Sequence, residues 1–115
     1  MRVARLLLLS SLALAAAGCG DDTPTEPVVT TAIAVRDDFF EPQNATVAAG
    51  ATVTWTWNGS NPHNVTWVSA GLGDSPTQTS GSYSATMPSA TGALAYYCTI
   101  HGTPTSGMRG TVTVQ

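Results

Sequence analysis

Residues 51–57 alternate strictly: Val53, Trp55 and Trp57 are apolar, and Thr52, Thr54 and Thr56 fall between them. A period of two in β-branched and aromatic residues predicts a strand with one buried face. Shorter signals of the same kind occur at 31–35, 45–48, 64–68, 82–87, 93–98 and 110–114. Gly50, Asn58-Gly59, Pro62 and the Gly/Pro/Ser-rich stretches 71–76, 88–92 and 102–107 punctuate them as turns. No window of the chain carries a helical stripe. About seven short strands in residues 31–115 therefore predict an all-β domain, a two-sheet Greek-key β-sandwich. The tryptophans and Met87, which stands at a strand end before Pro88, are expected in its core.

The N-terminal segment follows a different pattern. Arg2 and Arg5 precede an apolar run over 6–17, interrupted only by Ser10 and Ser11, and Ala16-Ala17-Gly18 leads into Cys19. A charged start, a short apolar run and small residues before a cleavage point make an export signal. Roughly twelve apolar residues are too few for a permanent transmembrane helix. Residues 1–18 also resemble a bacterial lipoprotein signal, which implies that Cys19 is lipidated and the protein is membrane-anchored, facing the periplasm or the cell exterior. Residues 20–30 are polar, acidic and broken by Pro24 and Pro27. With the lipidated Cys19 they read as a disordered tether, 19–30, of roughly 35 Å maximum reach.

Charge narrows the possible functions. The 115 residues hold four arginines and no lysine. Four positive charges cannot neutralise a useful run of phosphates, so nucleic-acid binding is excluded. Schiff-base chemistry and a P-loop amine are excluded with lysine. After loss of residues 1–18 the formal charge is −5, and residues 31–115 alone carry −2, with Asp37, Asp38 and Glu41 clustered. That field is too weak to define a docking surface. The expected mature form is a monomer.

Two distant stretches carry the chemistry. One is Asn61-Pro62-His63-Asn64-Val65; the other is Tyr96-Tyr97-Cys98-Thr99-Ile100-His101, followed by six small residues and Met108. Together they hold both histidines and, with Cys19 lipidated, the only free thiol. Two imidazoles, one thiolate and one thioether are the donor set that holds a blue copper ion, with methionine as the weak axial ligand. Strand alternation turns the Tyr97 ring away from Cys98's side. His101 opens an uncharged loop and is expected nearer solvent than His63.

The segment from Asp37 onward resembles a small cupredoxin of the plastocyanin, pseudoazurin and amicyanin group. Phe40-x-Pro42, Val47-x-x-Gly50-x-x-Val53-x-Trp55, His63-Asn64-Val65, Tyr97-Cys98-x-x-His101 and Gly107-Met108-x-Gly110-x-Val112-x-Val114 carry the resemblance. It implies one type 1 copper ion held by His63, Cys98, His101 and Met108. It also implies that Asn64 links the two ligand loops by hydrogen bonds and restrains the thiolate. The six residues between His101 and Met108 exceed the family's usual spacing, which implies an extended loop bearing on the axial methionine.

Three functions fit to different degrees. A membrane-anchored carrier would exchange single electrons with redox partner proteins by cycling Cu(I)/Cu(II). A copper delivery or buffering protein would use the same donors, although Met108 and a buried thiolate favour the carrier. Gly73-Asp74-Ser75 hints at a hydrolase, but no glycine-flanked nucleophile elbow accompanies it. Multicopper oxidase or nitrite reductase chemistry needs further copper sites, and both histidines are already used. The chain is therefore expected not to be an enzyme.

Overall fold

A computed structural model describes residues 26–115; the signal segment, Cys19 and most of the tether lie outside the described residues. Nine strands follow in order: β1 (Val28–Val29), β2 (Ala32–Arg36), β3 (Phe39–Glu41), β4 (Asn44–Val47), β5 (Thr52–Trp57), β6 (Thr66–Trp67), β7 (Ser82–Thr86), β8 (Gly92–Thr103) and β9 (Ser106–Val114). They form two sheets, β1-β4-β9-β8-β6 and β3-β2-β5-β7. Both sheets are mixed, since β2 runs parallel to β5 and β4 parallel to β9. The domain is the expected all-β sandwich.

The alternation in β5 has the predicted result. Val53, Trp55 and Trp57 are buried, while Thr52 and Thr54 face outward and meet Thr86 and Ser84 across the strand pair at 3.1 and 2.8 Å. Such cross-strand pairs are the local unit of sheet stability. On the inner side, Trp55 packs edge-on against Trp67 and Tyr96 of the opposite sheet, with ring centroids 5.6 and 5.4 Å apart. Contacts of this geometry contribute about 1 kcal/mol each beyond simple burial. The aromatic cluster thus joins the two sheets, and its Tyr96 stands just before the point where β8 and β9 lose register. Met87 is buried in the same core.

Four local differences from the sequence reading have physical causes. Only Thr66 and Trp67 of the expected strand 64–68 pair with β8. Upstream, His63 forms an isolated bridge with Gln78 and the Val65 amide donates to Ser75 Oγ, so these residues follow the long 68–81 loop instead. Residues 102–107 are not an open loop. They extend β8 and β9 into a hairpin, Gly102 pairing with Gly107 and Thr103 with Ser106 around Pro104-Thr105. Thr103 Oγ1 accepts from the Ser106 and Thr105 amides and closes that turn. β3 forms where no strand was expected, antiparallel to β2, with an Arg36–Glu41 ion pair at 3.0 Å across it. Val28 and Val29, within the stretch read as tether, pair with β4.

The register between β8 and β9 breaks between Tyr97 and Gly102. Tyr97 pairs with Arg109 and Gly102 with Gly107, so the four residues Cys98 to His101 face Met108 alone. A bulge of this kind bends the strand and re-aims side chains. In a regular strand, positions 98 and 101 would point to opposite faces. The bulge brings both toward the same place.

Candidate metal centre

Two parts of the chain supply the donors, the segment between β5 and β6 and the bulge in β8. His63 stands between β5 and β6, where its amide and carbonyl exchange hydrogen bonds with Gln78 at 3.1 Å and its carbonyl also accepts from Trp57 Nε1 at 3.1 Å. Cys98 and His101 flank the bulge in β8. His63 and Cys98 are fully buried; His101 keeps 28% of its side chain exposed.

Three donor atoms converge. His63 Nδ1 lies 3.1 Å from His101 Nδ1, and Cys98 Sγ lies 3.9 and 3.7 Å from these two nitrogens. A triangle with those sides has its equidistant point about 2.1 Å from each corner, within the range of metal–nitrogen and metal–thiolate bonds. Two imidazoles and a thiolate at that spacing suit copper in both oxidation states. The donor set is therefore able to hold one copper ion.

The far side of each ring meets a carboxylate. His63 Nε2 donates to Asp37 Oδ1 at 3.1 Å, and His101 Nε2 lies 3.5 Å from Asp38 Oδ1. Asp37 also accepts from the Ser60 amide at 3.0 Å and the Asn61 amide at 2.9 Å. Those two backbone donors, followed by the His63 hydrogen bond, lower the Asp37 carboxyl to about 2. It is ionised at every ordinary pH. A carboxylate can only accept, so a neutral His63 ring carries its proton on Nε2 and leaves Nδ1 bare toward the donor triangle.

Asn64 ties the two ligand segments together. Its Nδ2 donates to Thr99 Oγ1 at 2.8 Å and to Thr77 Oγ1 at 3.0 Å. Its Oδ1 accepts from the Thr99 amide at 3.1 Å and from Thr66 Oγ1 at 2.9 Å. The Thr99 amide can only donate, which fixes the orientation of the Asn64 side chain. Met108 is buried on β9, opposite the bulge. The close approach there requires glycine: a Cβ on Gly107 would lie 2.5 Å from the His101 carbonyl oxygen, and one on Gly102 would lie 2.5 Å from that of Met108.

The structure thus gathers His63, Cys98 and His101, with Asn64 between their segments and Met108 on the facing strand. Cys19 lies outside the described residues. Sequence reasoning missed Asp37, Gln78 and the indole of Trp57 as supports of His63. In the sequence Asp37 shows only as part of a charge cluster, and its contact with His63 arises from tertiary pairing that no local pattern encodes. The hydrolase hint is absorbed structurally. Asp74 Oδ1 accepts from the Trp67 amide, and Ser75 Oγ accepts from Val65 and donates to the Pro76 carbonyl.

The chain is similar to known copper-binding proteins along most of its described length. The profile of the family described as copper binding proteins, plastocyanin/azurin family, matches residues 28–115. A plastocyanin from Scenedesmus fuscus is 38% identical over 87 residues, covering 66% of this chain and 86% of that protein. The structure of a purple cupredoxin from Nitrosopumilus maritimus superposes with a TM-score of 0.62 at 30% identity, over 73% of this chain and 98% of that one. A reduced amicyanin variant does so with a TM-score of 0.61 at 31% identity, over 73% and 80%.

Proposed function

Because the chain belongs to the plastocyanin/azurin family of copper-binding proteins, we propose that it is a carrier of single electrons rather than an enzyme. His63, Cys98, His101 and Met108 would hold the copper ion that supplies this redox chemistry. The observation that carries the reading is the Nδ1–Nδ1–Sγ triangle, sized for one ion and fixed from behind by other side chains. Copper bound there would alternate between Cu(I) and Cu(II) and so accept or release one electron.

The chain's own residues suit that role. The Gln78 bridge, the Trp57 indole and the Asp37 carboxylate hold His63 in one orientation. Asn64 holds the Cys98 segment against the His63 segment. Donors fixed in this way move little when the charge at the site changes, which lowers the cost of electron transfer. Burial of Cys98 keeps the thiolate from external oxidants. His101, the more exposed imidazole, is the port through which a redox partner protein exchanges electrons. The uncharged hairpin beyond it suits brief encounters. A lipid on Cys19, after removal of residues 1–18, anchors the exported monomer to a membrane. Support for this anchor is the Ala16-Ala17-Gly18-Cys19 sequence.

The test is redox cycling of the full-length protein loaded with one equivalent of copper. A carrier shows a reversible one-electron titration and retains its copper through repeated cycles in the presence of a Cu(I) chelator. Loss of the ion to the chelator at each reduction would contradict the carrier and indicate copper delivery.

A further inference from the structure

We infer that Asp37 is a positioning residue for this copper site, fixing the His63 ring with Nδ1 bare and placing a fixed negative charge that favours Cu(II) over Cu(I); the inference rests on the function proposed above.

The contact is built into the fold. Asp37 opens the turn from β2 to β3, and its carboxylate reaches the 58–63 segment and accepts from Ser60, Asn61 and His63. Gly59 makes room for it: a Cβ there would overlap the Asp37 carboxylate. His63 is fully buried, so its Nε2 has no solvent to bond with in place of Asp37. Asp38, the next residue, takes a left-handed backbone conformation (φ 71°) and stands 3.5 Å from the other imidazole. The Asp38 contact is longer and more exposed, so Asp37 carries the larger effect.

The chemistry follows from the acceptor. A carboxylate holding Nε2–H raises the basicity of the opposite nitrogen and fixes the ring orientation. Both the stronger donor and the nearby negative charge stabilise the more highly charged ion, so Asp37 lowers the reduction potential.

Three variants of the full-length protein test this: Asp37→Asn, Asp37→Ala and the charge control Glu26→Gln. The first readout needs no copper: nitrogen NMR of the imidazoles should show His63 protonated at Nε2 in the wild type. The second is the midpoint potential. Asp37→Asn keeps an oxygen acceptor but removes the charge, and should lower the ratio of Cu(II) to Cu(I) affinity about tenfold, a rise of about 59 mV for one electron. Asp37→Ala should raise the potential at least as far and also release the tautomer. If Asp37→Ala does not fold, the wild-type tautomer and the Asp37→Asn potential decide the matter. A wild-type His63 protonated at Nδ1, or an Asp37→Asn potential matching that of Glu26→Gln, overturns the inference. Failure of the proposed function would appear differently, as wild-type protein that does not cycle its copper.

Discussion

Asn64 and Thr99 bind each other twice: the Thr99 amide donates to Asn64 Oδ1 at 3.1 Å, and Asn64 Nδ2 donates to Thr99 Oγ1 at 2.8 Å. This reciprocal pair joins the neighbour of His63 to the neighbour of Cys98 across 35 residues of sequence. It is a direct polar link between the two segments that carry the donors.

Asn64→Ala should therefore loosen the site as well as the fold. It removes both bonds to Thr99 and leaves a backbone donor without its partner, at a cost of about 2 kcal/mol or more. Denaturant unfolding of the copper-free protein should show this as a lower midpoint at unchanged slope. A change below about 0.5 kcal/mol would mean that Asn64 is an ordinary surface-type position.

Two glycines with nearly equal φ separate strain from crowding. Gly50 has φ 76° with nothing near a built Cβ, whereas Gly107 has φ 74° and a Cβ would strike the His101 carbonyl. Gly50→Ala should cost only the left-handed conformation, roughly 1–2 kcal/mol. Gly107→Ala should cost clearly more and also weaken copper affinity, because relief of the clash must move His101 or Met108. Equal losses of stability in the two variants would show that the hairpin yields without disturbing the ligands.

Asp37 predicts an acid dependence. Its carboxyl is lowered from 3.8 to about 2 by the Ser60 and Asn61 amides and by His63. A group depressed in the folded state contributes stability that is complete above its unfolded value and is lost as pH falls through the folded one. Copper-free protein should accordingly lose stability between about pH 4 and pH 2. The loss in that window should be smaller in Asp37→Asn, as measured by thermal unfolding at each pH. Identical acid profiles would remove Asp37 from the account of stability.

The sequence made some of this architecture plain and concealed the rest. The Thr/Val/Trp alternation of β5 was legible because a half-buried strand writes its two faces directly into a period of two. The donor set was legible through residue type and the Cys98-x-x-His101 spacing. The bulge that makes this spacing work was not, since it depends on how β8 registers against β9. The same is true of the 102–107 hairpin, where glycine and proline read locally as loop but Thr103 and Ser106 pair across the turn. Asp37 and Gln78 were hidden for a related reason. Their partner is His63, and the contacts exist only after β2, β5 and the 68–81 loop have come together.

The central claim is that Cys98, His63 and His101 hold one copper ion through a thiolate. Absorption and electron spin resonance of the full-length protein during Cu(II) titration test it most directly. Intense visible thiolate-to-copper charge transfer should grow to one equivalent and stop, and Cys98→Ser should abolish it while leaving the folded β-sandwich intact. A colourless wild-type complex with an ordinary tetragonal Cu(II) signal, or colour that survives Cys98→Ser, would contradict the account.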